Sequence, residues 1–291
     1  MKKLLIIGQG FLGNTLSNIA KTKNFQVFQA SFSNHIKIDI RNRKSVENIV
    51  KKINPDVIIN CAAKTDIDNI EKNSKNAFEV NAYGVENISK ISSKYSKRLI
   101  HISTDSVFDG KKGNYLENDN PNPINEYSKS KKLGEDLVKE NLEDYVIVRT
   151  NFYGNHNKKK FLFNWIMENY KQKKKFEGFT NIFFNPLEIE NLSLGLVELS
   201  ELKYTGILHM GSNKSYSKYE FAKIIGEKLE YDNELLSKKE VNSKEFIAKR
   251  PHNTTLSNKL SKKIINNHFY NLETWLEKIK VENTFNYKLD L

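Results

Sequence analysis

Short apolar runs punctuate the first half of the chain, with amphipathic stretches between them. Leu4–Ile7 is uninterrupted and apolar, as expected of a strand buried on both faces. From Phe11 to Ala20, Leu12, Leu16, Ile19 and Ala20 recur at helical spacing and predict an amphipathic helix. The alternation continues with a strand at Phe25–Ala30 and a helix marked by Val46, Ile49, Val50 and Ile53. After the turn at Asn54-Pro55 come a strand at Asp56–Asn60, a helix over Ala77–Ile91, and strands at Arg98–Ser103 and Tyr145–Arg149. Strands alternating with helices imply right-handed βαβ units. The predicted fold is therefore α/β: a Rossmann-type doubly wound parallel sheet over residues 1–150.

Past residue 150 the rhythm loosens. Helices are expected at Phe161–Tyr170, Leu187–Leu199 and Ser217–Leu229, the last opening on a Ser cap, and strands at Asn181–Phe184 and Gly206–Met210. Residues 151–291 are expected to form mostly a smaller α/β substrate domain, with segments around 185–200 returning to the first domain.

Composition narrows the class. The chain has 291 residues and 38% hydrophobic content, enough for a globular core. A net charge of +12 would suit an anionic substrate, but the Lys clusters at 111–112, 158–160 and 173–175 are separated and lack interleaved aromatics. Nucleic-acid binding is not expected. Cys61 is the one cysteine, set in an apolar run, so an internal disulfide is excluded and a reducing cytoplasm fits. The apolar run at the start stops at Gly8, too short for a signal peptide, and no run is long enough to span a membrane. The six His lack ligand spacing, so no metal is expected.

Gly8-Gln9-Gly10-Phe11-Leu12-Gly13 fits G-x-G-x-x-G between a predicted strand and a predicted helix, the context a dinucleotide requires. Gly8 would allow the tight turn, Gly10 the approach of a diphosphate, and Gly13 close helix–strand packing, with the helix N-terminus favouring negative charge. The end of the second strand, Gln29–His35, carries no acid to bind a ribose 2′-hydroxyl. Ser31, Ser33 or a nearby base could take a 2′-phosphate, so NADP(H) is favoured and NAD(H) is the alternative. Asp39-Ile40 falls where a further strand would end and could meet the adenine.

Tyr127 and Lys131 are four apart, on one face of a helix. An ammonium one turn from a phenol is expected to lower the phenol's pKa and make it a usable proton donor or acceptor. The apolar strand Ile100-His101-Ile102 ends in Ser103-Thr104-Asp105-Ser106, and ligands of open parallel sheets bind beyond such strand ends. Thr104 could therefore hydrogen-bond a substrate oxygen beside Tyr127.

With these motifs in place, the chain resembles the extended short-chain dehydrogenases, and most closely the dTDP-4-dehydrorhamnose reductase family. The resemblance is carried by Asn60–Asp68, Val80-Asn81-Ala82, Ser103–Gly110, Asn122–Tyr127, Lys131–Glu135 and, near the C-terminus, Arg250–Leu256. It implies hydride transfer from the nicotinamide to the C4 carbonyl of a nucleotide-activated deoxysugar, in the synthesis of a cell-surface polysaccharide precursor. Tyr127 would protonate the alkoxide, Lys131 would hold the nicotinamide ribose, and Thr104 would orient the carbonyl. Cys61, Ala62, Ala63 and Thr65 would line the cofactor and Asn81 would support the strand ends. Asp105, Ser106, Asn151 and Phe152 would face the sugar. A homodimer is the expected assembly.

The departures lie at the sugar. Ser106 stands where the family usually has Tyr, and Arg149–Gly154 replaces its Trp-containing segment. Ile182–Leu187 is also unlike the rhamnose enzyme. Related dehydratases carry Asp-Glu after the Thr; here Asp105 is followed by Ser106, which favours simple reduction. Two other readings remain at this point. One is an epimerase or epimerase–reductase, with His209 or Cys61 as an added acid/base. The other is a non-catalytic subunit like the methionine adenosyltransferase regulatory subunit, which resembles the same family.

Overall fold

The computed structural model describes residues 1–155, 161–242, 246–266 and 269–286. The lysines at 158–160 lie outside the described residues. Seven parallel strands form the central sheet: β1 (Lys2–Ile7), β2 (Phe25–Ser31), β3 (Ile36–Lys37), β4 (Val57–Asn60), β5 (Arg98–Ile102), β6 (Tyr145–Thr150) and β7 (Gly206–Met210). Their order is β7-β6-β5-β4-β1-β2-β3. The order reverses between β1 and β4, and such a switch point opens a crevice at the carboxyl ends of the strands.

The helices are α1 (Phe11–Lys21), α2 (Arg43–Ile53), α3 (Gly84–Lys94), α4 (Glu126–Asn141), α5 (Leu162–Lys171), α6 (Ile189–Leu199), α7 (Lys218–Lys228) and α8 (Leu272–Asn286). Alternate strand residues feed opposite faces, as the two-residue period demands. Leu4, Ile6, Ile59 and Val148 join Leu12, Leu16, Leu192 and Leu196 from α1 and α6 on one face. Leu5, Ile7, Ile58 and Ile147 join Val46, Val50, Ile88 and Val138 from α2, α3 and α4 on the other. Both faces of the sheet are covered, which is why its strands read as unbroken apolar runs.

Local signals set several boundaries. The Asn42 side chain caps α2 by accepting from the Ser45 N–H, and Asn54 ends that helix at φ 49° before Pro55. The helix expected over Ala77–Ile91 is instead a composite of Lys75–Phe78, a π-turn at Glu79–Tyr83 and then α3, and a separate short helix, Ile67–Lys72, precedes it. That π-turn carries the buried Asn81. The helix expected from Leu187 starts at Ile189, because Leu187-Glu188 pairs as a strand with Phe152-Tyr153. The strand expected at Asn181–Phe184 shortens to Phe183-Phe184, antiparallel to Tyr216-Ser217. A third core of Tyr153, Ile166, Tyr170, Phe184, Phe221, Leu272 and Leu276 supports the second half. β7 and α6 belong to the main sheet layer.

One buried ion pair fastens α4 to the sheet. Glu135 and Arg149 are 0% and 1% exposed, with Arg149 Nη2 2.7 Å from Glu135 Oε2 and Nε 3.0 Å from Oε1. The Ser103 hydroxyl donates to the same carboxylate at 2.5 Å. Removing one partner strands the other charge in a dry interior. Glu135→Ala is expected to destabilise the fold by about 3–5 kcal/mol in urea unfolding, whereas Glu135→Leu with Arg149→Met should recover most of that loss. A single variant as stable as the parent would show that this pair does not hold α4.

Candidate functional site

The glycine bend fits a dinucleotide diphosphate. Gly8 has φ 120°, and a Cβ there would lie 3.0 Å from the backbone of Cys61 and Ala62. A Cβ on Gly13 would fall 2.4 Å from the Gly8 carbonyl oxygen, so glycine is what lets α1 meet the bend. A Cβ on Gly10 would meet nothing within 4 Å: the space above it is open. Gly10 offers no side-chain cap and the first turn of α1 has no acid, leaving the helix N-terminus available to an anion. Leu12 is buried in the core, so it can offer a ligand its backbone only. The Phe11 ring packs against Phe161 and, edge-on at 6.4 Å, against Phe152.

The residues expected to meet the adenosine are more engaged with one another than the sequence implied. The Ser31 hydroxyl donates to Gln9 Oε1 at 3.1 Å, close behind the bend. Asp39 is gripped by Arg41 through two bonds of 2.8 and 2.9 Å, which hold its carboxyl below the usual range. Arg41 also lies over the exposed Phe32 ring, 5.9 Å from its centroid. Ile40 is buried, its side chain against Gly84, so its contribution to a cofactor is limited to its backbone.

Beyond β4 and β5 a polar network holds the strand ends. Asn60 Oδ1 accepts from the Ala62 N–H at 3.1 Å, and its amide nitrogen meets His101 Nδ1 at 3.2 Å. Asn81 exchanges two bonds with the Lys64 backbone, at 2.8 and 2.9 Å, and donates to Ser130 Oγ at 3.0 Å. Gly134 lets α4 approach this turn, since a Cβ would lie 2.2 Å from the Asn81 carbonyl oxygen. Thus Ala62, Ala63 and Thr65 are positioned by a loop clamped between Asn60 and Asn81.

Tyr127, Lys131 and Glu135 recur every four residues along α4, whose start is capped by Asn125 Oδ1 accepting from the Ser128 N–H at 2.8 Å. The Thr104 hydroxyl lies beside the Tyr127 phenol and favours its ionised form, which joins the phenol and hydroxyl foreseen from sequence. The Lys131 ammonium does not act on the phenol as expected. It is buried and donates to the Ile102 carbonyl at 2.7 Å, with His101 Nε2 at 3.5 Å. Burial pushes the Tyr127 phenol up to about 12, with the Thr104 hydroxyl opposing, and pulls Lys131 down to about 8, against the attraction of Glu135. The phenol is therefore held protonated at neutral pH, the form that a proton donor needs.

Asp105, Ser106 and Asn151 line a cavity of about 940 Å³ beside this cluster. Its walls are aromatic, including Trp165, Phe179, Phe184 and Phe246, with Lys175, Lys218 and Arg250 among its cations. Asp105 accepts from Thr254 Oγ1 at 2.6 Å and Asn151 Nδ2 at 3.1 Å, tying the segment after Arg250-Pro251 to the strand end. Phe152 is turned to Phe11 at the glycine bend and is not among the cavity residues. Lys218 and Thr254 were not singled out from sequence. Nothing in one sequence distinguishes Lys218 from other helix-start lysines, because the cavity wall it joins forms only on folding.

Neither residue suggested as an added acid/base is suited to it. Burial pulls His209 down to about 3, and its ring is fixed between Arg149 and the Tyr115 carbonyl. Burial likewise pushes the Cys61 thiol up to about 12. Among the described residues no group of three or more His, Cys, Asp or Glu could hold a metal, and no helix is long and apolar enough to cross a membrane.

Comparison with known proteins agrees with this geometry. A family model described as the RmlD substrate binding domain matches residues 1–283. The chain is 29% identical to the spore coat polysaccharide biosynthesis protein SpsK of Bacillus subtilis, over 86% of this chain and 87% of that one. It is 30% identical to a probable low-salt glycan biosynthesis reductase of Haloferax volcanii, covering 75% of each. The structure of dTDP-4-dehydrorhamnose reductase from Bacillus anthracis, in complex with NADP, superimposes with a TM-score of 0.87 at 28% identity, covering 97% of this chain and 99% of that one.

The bend makes a prediction that separates fold from ligand. Gly10→Ala should leave the melting temperature unchanged yet weaken NADPH binding at least tenfold, about 1.4 kcal/mol. Gly13→Ala should cost about 1–3 kcal/mol of stability through its clash with Gly8. Thermal melts and cofactor titration check both. Unaltered NADPH affinity in Gly10→Ala would place the diphosphate elsewhere.

Proposed function

The chain belongs to the RmlD substrate-binding-domain family of extended short-chain dehydrogenase/reductases, and from that membership we propose that it reduces a keto group, at C4, of a nucleotide-activated deoxysugar. NADPH is the favoured reductant and supplies the hydride; NADH is the alternative. The observation that carries the reading is the gathering of the Tyr127 phenol, the Thr104 hydroxyl and buried Lys131 beside a cavity lined by the next two residues, Asp105 and Ser106, and by Asn151.

In this reading Thr104 turns its hydroxyl from Asp105 Oδ1 to the carbonyl oxygen and sets that oxygen against Tyr127. As the carbonyl carbon accepts hydride, charge builds on that oxygen, and the Tyr127 hydroxyl neutralises it by giving up its proton. The phenolate left behind is stabilised by the nearby Lys131 ammonium, which also binds the nicotinamide ribose. The first turn of α1 faces the cofactor diphosphate. The aromatic cavity wall offers faces for the nucleobase and excludes water around the sugar. Similarity to SpsK and to the glycan reductase supports a role in a surface-polysaccharide precursor route, and NADPH dependence suits a cytoplasmic enzyme. The single-residue evidence at His209 and Cys61 disfavours an epimerase.

Cofactor oxidation, followed by absorbance with dTDP-4-keto-6-deoxyhexose as substrate, tests the assignment. Tyr127→Phe is expected to lower kcat about 10²- to 10⁴-fold while NADPH affinity stays within about twofold. A wild-type protein inert towards every 4-keto nucleotide sugar, yet tightly bound to a partner protein, would instead favour the regulatory-subunit reading.

Lys131 adds a pH signature. Its ammonium is present below about 8 and lost as pH rises through that value. NADPH affinity should therefore fall above about pH 8 in direct titrations, and Lys131→Met should bind weakly with no such step. An affinity independent of pH from 7 to about 9.5 would remove the Lys131–ribose contact.

A further inference from the structure

Lys218 is the first residue of α7, immediately after Ser217. Its position is fixed by local chemistry. Ser217 and Glu220 form a reciprocal capping box, and the Lys218 N–H donates to the Ile182 carbonyl at 3.0 Å. The side chain then enters the same cavity as Asp105, Ser106 and Asn151. Its ammonium lies 3.0 Å from the centroid of the Phe184 ring. A ring face stabilises positive charge but offers no directed acceptor, so the ammonium donors remain for a ligand.

Among the described residues, no hydrogen bond or ion pair reaches the Lys218 ammonium. Asp105 is the carboxylate whose charge it feels, but that carboxylate is already engaged. Oδ2 accepts from Thr254 at 2.6 Å and Asn151 at 3.1 Å; Oδ1 accepts from Thr104 at 3.1 Å and Ser106 at 3.3 Å. Burial accordingly pulls Lys218 down to about 7, against the attraction of Asp105. A charge with so little compensation weakens the fold, and such groups concentrate where a ligand completes them.

We propose that Lys218 is a specificity-determining residue that donates hydrogen bonds to an oxygen substituent of the sugar, next to the carbon being reduced. This rests on the ketoreductase reading above. Asp105 and Ser106 follow Thr104 directly in the chain, so a sugar whose carbonyl meets Thr104 brings its neighbouring substituent toward the Asp105–Lys218 side of the cavity. The chemistry recognised is a hydroxyl oxygen on the carbon beside the carbonyl. Sugars deoxygenated at that position would leave the ammonium without a partner and be rejected.

The test uses the full chain: binding is read on the NADP+-bound form, which has no hydride to give, and KM and kcat are read with NADPH. Lys218→Met and Lys218→Arg are titrated with dTDP-4-keto-6-deoxyhexose, its 3-deoxy analogue, a 4-keto nucleotide uronate and dTDP alone. The Met variant is expected to bind the parent keto sugar about 10- to 100-fold more weakly, with the loss in KM rather than kcat. It should bind dTDP and NADPH as the wild type does, and Lys218→Arg should recover part of the loss. In the wild type, removing the 3-oxygen should cost a similar factor, with no added loss in the Met variant. A wild type that prefers the uronate and is indifferent to the 3-oxygen would overturn the assignment, since the group read would then be the carboxylate beyond C5. Equal losses for the parent and both analogues, a lowered melting temperature that accounts for the loss, or unchanged affinity would each overturn the assignment. Because binding is read without turnover, a protein that binds these sugars but oxidises no NADPH refutes the ketoreductase reading and leaves Lys218 separately judged.

Discussion

The docking of α4 on the ends of β5 and β6 is the constraint on which the site depends. Tyr127, Lys131 and Glu135 occupy one face of that helix, and each is held differently. Glu135 is locked to Arg149 and Ser103 and Lys131 to the Ile102 carbonyl, and Tyr127 is set beside the Thr104 hydroxyl. The innermost contact is ionic and dry, so it tolerates little displacement. A shift of the helix by a fraction of a turn would break all three together. Gly134 serves the same docking from another face, by admitting the Asn81 turn against the helix backbone.

That rigidity explains the electrostatics. A surface Tyr–Lys pair would be solvated and unremarkable. Here the same pair is desolvated, and burial moves the phenol and the ammonium in opposite directions, both toward their neutral forms. His101 beneath them is likewise pushed well below its ordinary value, first by burial and then by Lys131. The phenol stays neutral beside the Lys131 ammonium until a substrate oxygen develops charge. The ammonium then has something to stabilise.

The cavity tells a parallel story from the second half of the chain. Asp105 ties the strand end to Thr254, while α7 and the short strand pairs bring aromatic walls and Lys218 to the same place. Residues 106, 151, 184, 218 and 254 meet there although the chain separates them widely. The proposed reaction machinery falls within residues 104–131, and the surface that would choose the sugar is gathered mostly from beyond residue 150.

The sequence by itself determined the alternating sheet layer, the glycine bend, and the Thr104, Tyr127 and Lys131 set, because each follows from local periodicity or short spacing. It misjudged the direction of the Tyr127 shift: spacing along a helix shows which residues share a face, but not which carbonyl an ammonium will find. It also missed the π-turn at Glu79–Tyr83, since one extra residue in a helical turn leaves the hydrophobic pattern almost unchanged. Lys218, Thr254 and the burial of Ile40 were decided by tertiary structure alone. Their surroundings come from segments remote in the chain, and burial is a property of that assembly rather than of any stretch of sequence.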